Sequence, residues 1–114
     1  MKNYNKMQTA AANRAVAFKR WILRQVQTSG KYYSVSSAKQ YVAQLRNYAH
    51  KLSPRALEGT GVPEDLFELG HRLEFDTMIS IISELPGYDE FIAGNHGNFN
   101  AAKDLYRQFL EAIH

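Results

Sequence analysis

At 114 residues the chain is long enough for one domain that buries about two-thirds of its unfolded surface without metal or disulfide support. It contains no cysteine, which excludes a disulfide framework and a thiolate metal site and suits a reducing compartment. The net charge of +3 conceals a division: residues 1–57 carry eleven Lys and Arg and no Asp or Glu, whereas the remainder carries eleven acids against Arg72, Lys103 and Arg107. An acid-free half is the footprint of a polyanion-binding face. The same imbalance also fits a basic half that pairs with the acidic half inside the fold, or with another copy of the molecule.

The opening MKNYNKMQTAAANRAVAF lacks the apolar core of a signal peptide, and no run approaches the ~18 apolar residues of a membrane span. A cytoplasmic chain with no membrane contact is expected. Residues 2–28 read as one long helix with a mobile start, and Gly30 stands just past its end as a stop. Ala11, Ala15, Phe18, Ile22 and Val26 make its buried stripe. Arg20 and Arg24 lie one turn apart on a different face, near Asn13 and Gln27, with no acid to neutralise them locally. A second apolar strip, Ala12, Val16 and Leu23, implies a helix covered on two sides or one offering a partner surface. Trp21 reads as core or interface rather than as a base-stacking platform.

The stretch KYYSVSSAKQYVAQLRNYAHKL joins a helix start, an apolar stripe and a basic face. Ser34 is a suitable N-cap for a helix over 35–52. Tyr41, Val42, Leu45, Tyr48, Ala49 and Leu52 recur at intervals of three and four, which marks the core face. Lys39, Ala43, Arg46 and His50 occupy one flank, and Gln40, Asn47 and Lys51 the other, so the outward surface is cationic, amide-rich and free of acid.

Pro54 opposes continuation, and SPRALEGTGVP reads as a loop between the two halves. Over the acidic half, 63–113, Pro63 with Glu64 and Asp65 is a helix-start signature, and Leu66, Phe67 and Leu69 are assigned to the core. Phe75, Met78, Ile79, Ile82 and Leu85 repeat at helical spacing until Pro86-Gly87, and YDEFIAG is a short helix. GNHGNFN reads as a loop in which Asn98 caps a last helix with the stripe Ala102, Leu105, Tyr106, Phe109, Leu110 and Ile113. With no alternating strand pattern, the fold class is all-α, a single compact orthogonal bundle of five to six helices.

Catalytic chemistry has no visible seat. The acids read as solvated helix faces, with no clustered carboxylates followed by a lysine as a metal-dependent nuclease would need. His50, His71, His96 and His114 are scattered, most of them at the surface, without HExxH or HxH spacing, and Gly94 and Gly97 match no phosphate-binding loop. No enzyme activity, metal or cofactor is expected.

Ser34, Ser37, Tyr41, Leu45, Arg46 and Tyr48 fill the places of an S-P-x-T cap followed by Y-x-x-x-L-R-x-F, so this stretch resembles the SAM-like core-binding domains of tyrosine recombinases. From Leu66 to Leu110 the chain also resembles the small helical domain that precedes nuclease or ATPase domains in restriction-type proteins. Gly97, Asn98, Ala101, Ala102, Tyr106, Phe109 and Leu110 carry that likeness. Both resemblances imply a domain that helps a larger protein grip DNA, either excised from its catalytic part or standing alone. The recombinase's tyrosine-arginine-histidine set is missing, so recombination and cleavage are not implied.

The leading expectation is a non-catalytic DNA-binding module for duplex DNA. Arg20, Arg24, Lys31, Ser34, Lys39 and Arg46 would contact phosphates, and Gln40 and Asn47 would read bases. The alternative is a protein-binding adaptor or inhibitor that docks on a nuclease or similar partner. It would use the apolar strip Ala12, Val16, Leu23 or a phosphate-like acidic set, Glu64, Asp65, Glu68, Glu74 and Asp76.

Overall fold

The computed structural model describes residues 2–52, 54–95 and 97–113, and the side chains of these stretches except for residues 2–8 and 54. Five α-helices and two short 3-10 turns appear among the described residues, in the order α1 (Lys2–Ile22), α2 (Val35–Leu52), the turns Pro54–Leu57 and Leu66–Glu68, α3 (Arg72–Ser83), α4 (Tyr88–Gly94) and α5 (Asn98–Ala112). The chain is therefore all-α and compact, as its periodicity predicts.

α5 lies at the centre because its stripe is the most continuous. Phe99, Ala102, Leu105, Tyr106, Phe109 and Leu110 are buried, against α1, α2 and α3. Phe18 of α1 meets Phe67, Tyr106 and Phe109 at ring separations of 5.6, 5.3 and 5.5 Å, and Trp21 closes this cluster against Phe18 and Phe109. Trp21 is thus a core-edge residue, as expected. Two buried tyrosines keep their hydroxyls satisfied by reaching carbonyls across the core: Tyr48 donates to Pro63 at 2.6 Å and Tyr106 to Leu69 at 2.6 Å. Burial pushes both hydroxyls far above their ordinary range of ionisation.

Four expectations are corrected. First, α1 ends at Ile22 rather than at 28. Arg24 and Gln25 donate to Trp21 and Ile22 in tightened turns, and Gln27 donates to Lys31 across a short antiparallel turn that pairs Val26 with Tyr32. The chain reverses through Gly30, whose φ of +86° favours glycine. Val26 accordingly leaves the stripe and is 55% exposed. The mobile start expected for this helix lies outside the described side chains.

Second, Pro63 does not begin a helix. Its carbonyl accepts from Tyr48, and Asp65 caps a single 3-10 turn by accepting from Phe67 N at 2.9 Å. Leu66, Phe67 and Leu69 are buried as expected. Third, Asn95 and not Asn98 serves the start of α5. Its Oδ1 accepts from Phe99 N while its Nδ2 donates to Gln44 of α2 at 2.9 Å. Fourth, Ile113 falls off the stripe at 51% exposure. His50 and His71 are exposed, as expected, whereas His96 and His114 lie outside the described residues.

Candidate nucleic-acid interface

The local sequence of α2 produces its two faces. Ser34 caps the helix: Ser37 N donates to Ser34 Oγ at 3.0 Å, and Ala38 N to the Ser34 carbonyl at 3.0 Å. Ala38, Leu45, Tyr48, Ala49 and Leu52 are buried, while Tyr41 and Val42 are half-buried at the edge of the core. Lys39, Gln40, Arg46 and Asn47 are exposed on the remaining surface. Lys39 and Arg46 are seven residues apart, as are Gln40 and Asn47, so each pair forms a row about 10.5 Å long on one side of the helix. The small, exposed Ala43 lies between the rows.

Packing of α1 against α2 forms an open groove of about 320 Å³, lined by Ala15, Val16, Lys19, Lys39, Val42, Ala43, Arg46 and Asn47. Three cations and an amide rim a floor of small and branched apolar side chains. The strip expected to be a separate partner surface is thus divided. Val16, 50% exposed, belongs to this floor, Ala12 is exposed, and Leu23 is half-buried against the core. A smaller hollow of about 170 Å³ continues over Gln44, Asn47, Tyr48 and Lys51.

Of the residues singled out from sequence, the groove brings together Lys39, Arg46 and Asn47. Gln40 is exposed on the same helix but does not line it, and Arg20 points away from the core on the outer side of α1. Arg24 and Lys31 are exposed in the connection between α1 and α2. The Ser34 hydroxyl already serves the cap and donates to Ser37 Oγ at 3.0 Å, so capping occupies it before any ligand does. Lys19 was missed by sequence reasoning. It follows Val16 by three residues, which places both on one flank of α1.

Arg14 belongs to the basic half of the sequence, but it works inside the fold. Its guanidinium donates to the Phe67 carbonyl and lies beside Tyr106, whose ionisation it eases against the effect of burial. A Cβ on Gly70 would come within 2.6 Å of Arg14 Nη2, so the glycine leaves room for this clamp.

The electrostatics separate the two halves. The ion pairs Arg72 to Asp76 (3.4 Å), Arg72 to Glu111 (2.6 Å) and Arg107 to Asp76 (2.8 Å) all lie within the C-terminal half. Among the described residues, no ion pair joins the basic half to the acidic half. Lys19 and Arg20 do occupy the last turn of α1, and Lys51 that of α2, where cations complement the helix dipole by about 0.3–1 kcal/mol each. That local role does not extend to Lys39, near the start of α2, or to Arg46 in its middle. The acidic set is partly committed already, since Asp65 caps a turn and Asp76 bonds two arginines.

No cluster of three or more His, Cys, Asp or Glu able to hold a metal occurs among the described residues. No helix is long and apolar enough to cross a membrane, again among the described residues. Comparison with models of known protein families, with curated proteins and with solved structures finds no match.

Proposed function

We propose that this chain is a non-catalytic module that grips duplex DNA through the cationic surface of α1, α2 and their connection. The observation that carries the reading is a group of basic side chains, the exposed Arg20, Arg24, Lys31, Lys39 and Arg46 with the half-buried Lys19, with no acid in their half of the sequence and, among the described residues, no ion pair to the other half. Such a surface repels itself when free and is relieved by a polyanion. The cations would set the position of the duplex, and Gln40 and Asn47, in one row on α2, are the side chains suited to base edges. The resemblance read from the sequence to SAM-like recombinase domains and to N-terminal domains of restriction-type proteins implies the same reading. The adaptor reading is weaker, because Asp65 and Asp76 of its acidic contact set already serve the fold.

Binding to a 24-base-pair duplex at several salt concentrations tests the proposal. Six cationic contacts predict that the logarithm of affinity falls against the logarithm of salt with a slope of about −5. Absence of binding at low salt, or an affinity indifferent to salt, would remove it.

A further inference from the structure

The connection between α1 and α2 presents an aromatic ring that the core does not use. Tyr32 is 65% exposed, and Val26, paired with it across the antiparallel turn, is 55% exposed. Directly opposed residues in such a pair project to the same side. Gln25 and Gln27 are both tied back to backbone: Gln25 Nε2 donates to the Trp21 carbonyl at 3.0 Å and Gln27 Nε2 to the Tyr32 carbonyl at 3.2 Å. The backbone of Tyr32 is therefore held while its ring stands free. Tyr33, Tyr41, Tyr48, Tyr88 and Tyr106 all belong to ring pairs, whereas Tyr32 has no ring partner among the described residues. Cations stand close to this ring in sequence, with Lys31 beside Tyr32 and Arg24 two residues before Val26.

We infer that Tyr32, with Val26 beside it, is a stacking element that takes an unpaired base, so that the protein favours DNA containing an unpaired nucleotide over continuous duplex. A free base face stacks on an aromatic ring without regard to sequence, and flanking cations hold the adjoining phosphates. A ring carried on a held backbone has only its two side-chain torsions to lose on binding. The acid-free, basic sequence around the ring, with Lys31 beside it and Arg24 nearby, matches a polyanion as the occupant. This inference rests on the proposed DNA reading and adds a structure preference to it.

The test uses two 24-base-pair duplexes, one continuous and one with a single bulged 2-aminopurine, bound to wild type, Tyr32→Ala and Tyr32→Phe. Wild type should bind the bulged duplex more tightly, and Tyr32→Ala should lose roughly 5- to 150-fold in affinity for it, the range of one base-on-aromatic stack. Its affinity for continuous duplex should hold, and Tyr32→Phe should keep the preference. The 2-aminopurine emission should change on binding wild type and not on binding Tyr32→Ala. If wild type binds both duplexes equally and leaves the emission unchanged, the stacking role is overturned while the DNA reading stands. If neither duplex is bound at low salt, both fall. Tyr32-dependent retention on phosphatidylserine vesicles without a preference for the bulge would reassign the ring to a membrane surface and overturn the inference.

Discussion

Arg14 and Arg20 stand less than two turns apart on α1 and do opposite work. The first faces inward to the Phe67 carbonyl beside Gly70 and Tyr106, and the second faces solvent. Arg14→Ala would leave a partly buried carbonyl without its donor, at a cost of about 1–3 kcal/mol. Chemical denaturation should register that loss, while the salt slope for DNA should stay at the wild-type value because no phosphate contact is removed. Glu68 offers a second residue-scale test. Partial burial first, and then the carboxylates of Asp65 and Glu64, hold its carboxyl above the ordinary range. A carboxyl raised in the folded state contributes stability that is complete below its unfolded pKa and is lost as pH rises through the folded value. Glu68→Gln should therefore raise the melting temperature at about pH 7 and change it little at about pH 4, where Glu68 is protonated too. An unchanged or lower melting temperature at neutral pH would mean that the charged form is favoured there.

Helix ends show where sequence reading succeeds and where it stops. The cap of α2 was legible because Ser34 bonds only three residues ahead, and the stripes of α2, α3 and α5 were legible because periodicity is local. The end of α1 was not, because the competing bonds arise from a chain reversal that brings Lys31 and Tyr32 back to Gln27 and Val26. The start of α5 misled for a related reason. Asn98 has the right residue type at the right place, but Asn95 is oriented by Gln44, which is 51 residues away in sequence. Asn95→Ala should cost about 1–2 kcal/mol through loss of the cap, and Asn98→Ala should cost only a few tenths. Melting curves of the two variants decide between them. Equal losses would contradict the assignment.

At the scale of the whole molecule, the division of charge survives folding. The acidic half forms its own ion pairs, and the basic half places Lys19, Lys39 and Arg46 around a groove between two helices. Lys39, Arg46 and Asn47 were legible as members of that surface because spacings of seven and eight on one helix keep them near one face. Lys19, Val16 and the groove itself were not, because they come together only when α1 packs on α2. The removal of Arg14 from the set could not be foreseen either, since its partner Phe67 lies 53 residues away.

The central claim is that the acid-free half faces outward to bind a polyanion and does not neutralise the acidic half. The measurement that reaches it most directly is the salt dependence of duplex binding by Arg20→Ala/Arg24→Ala beside its unfolding free energy. The double variant should show a slope smaller in magnitude by about two, a uniform loss of affinity across sequences, and stability within about 0.5 kcal/mol of wild type. A double variant that unfolds readily, while each folded molecule binds DNA as wild type does, would contradict it.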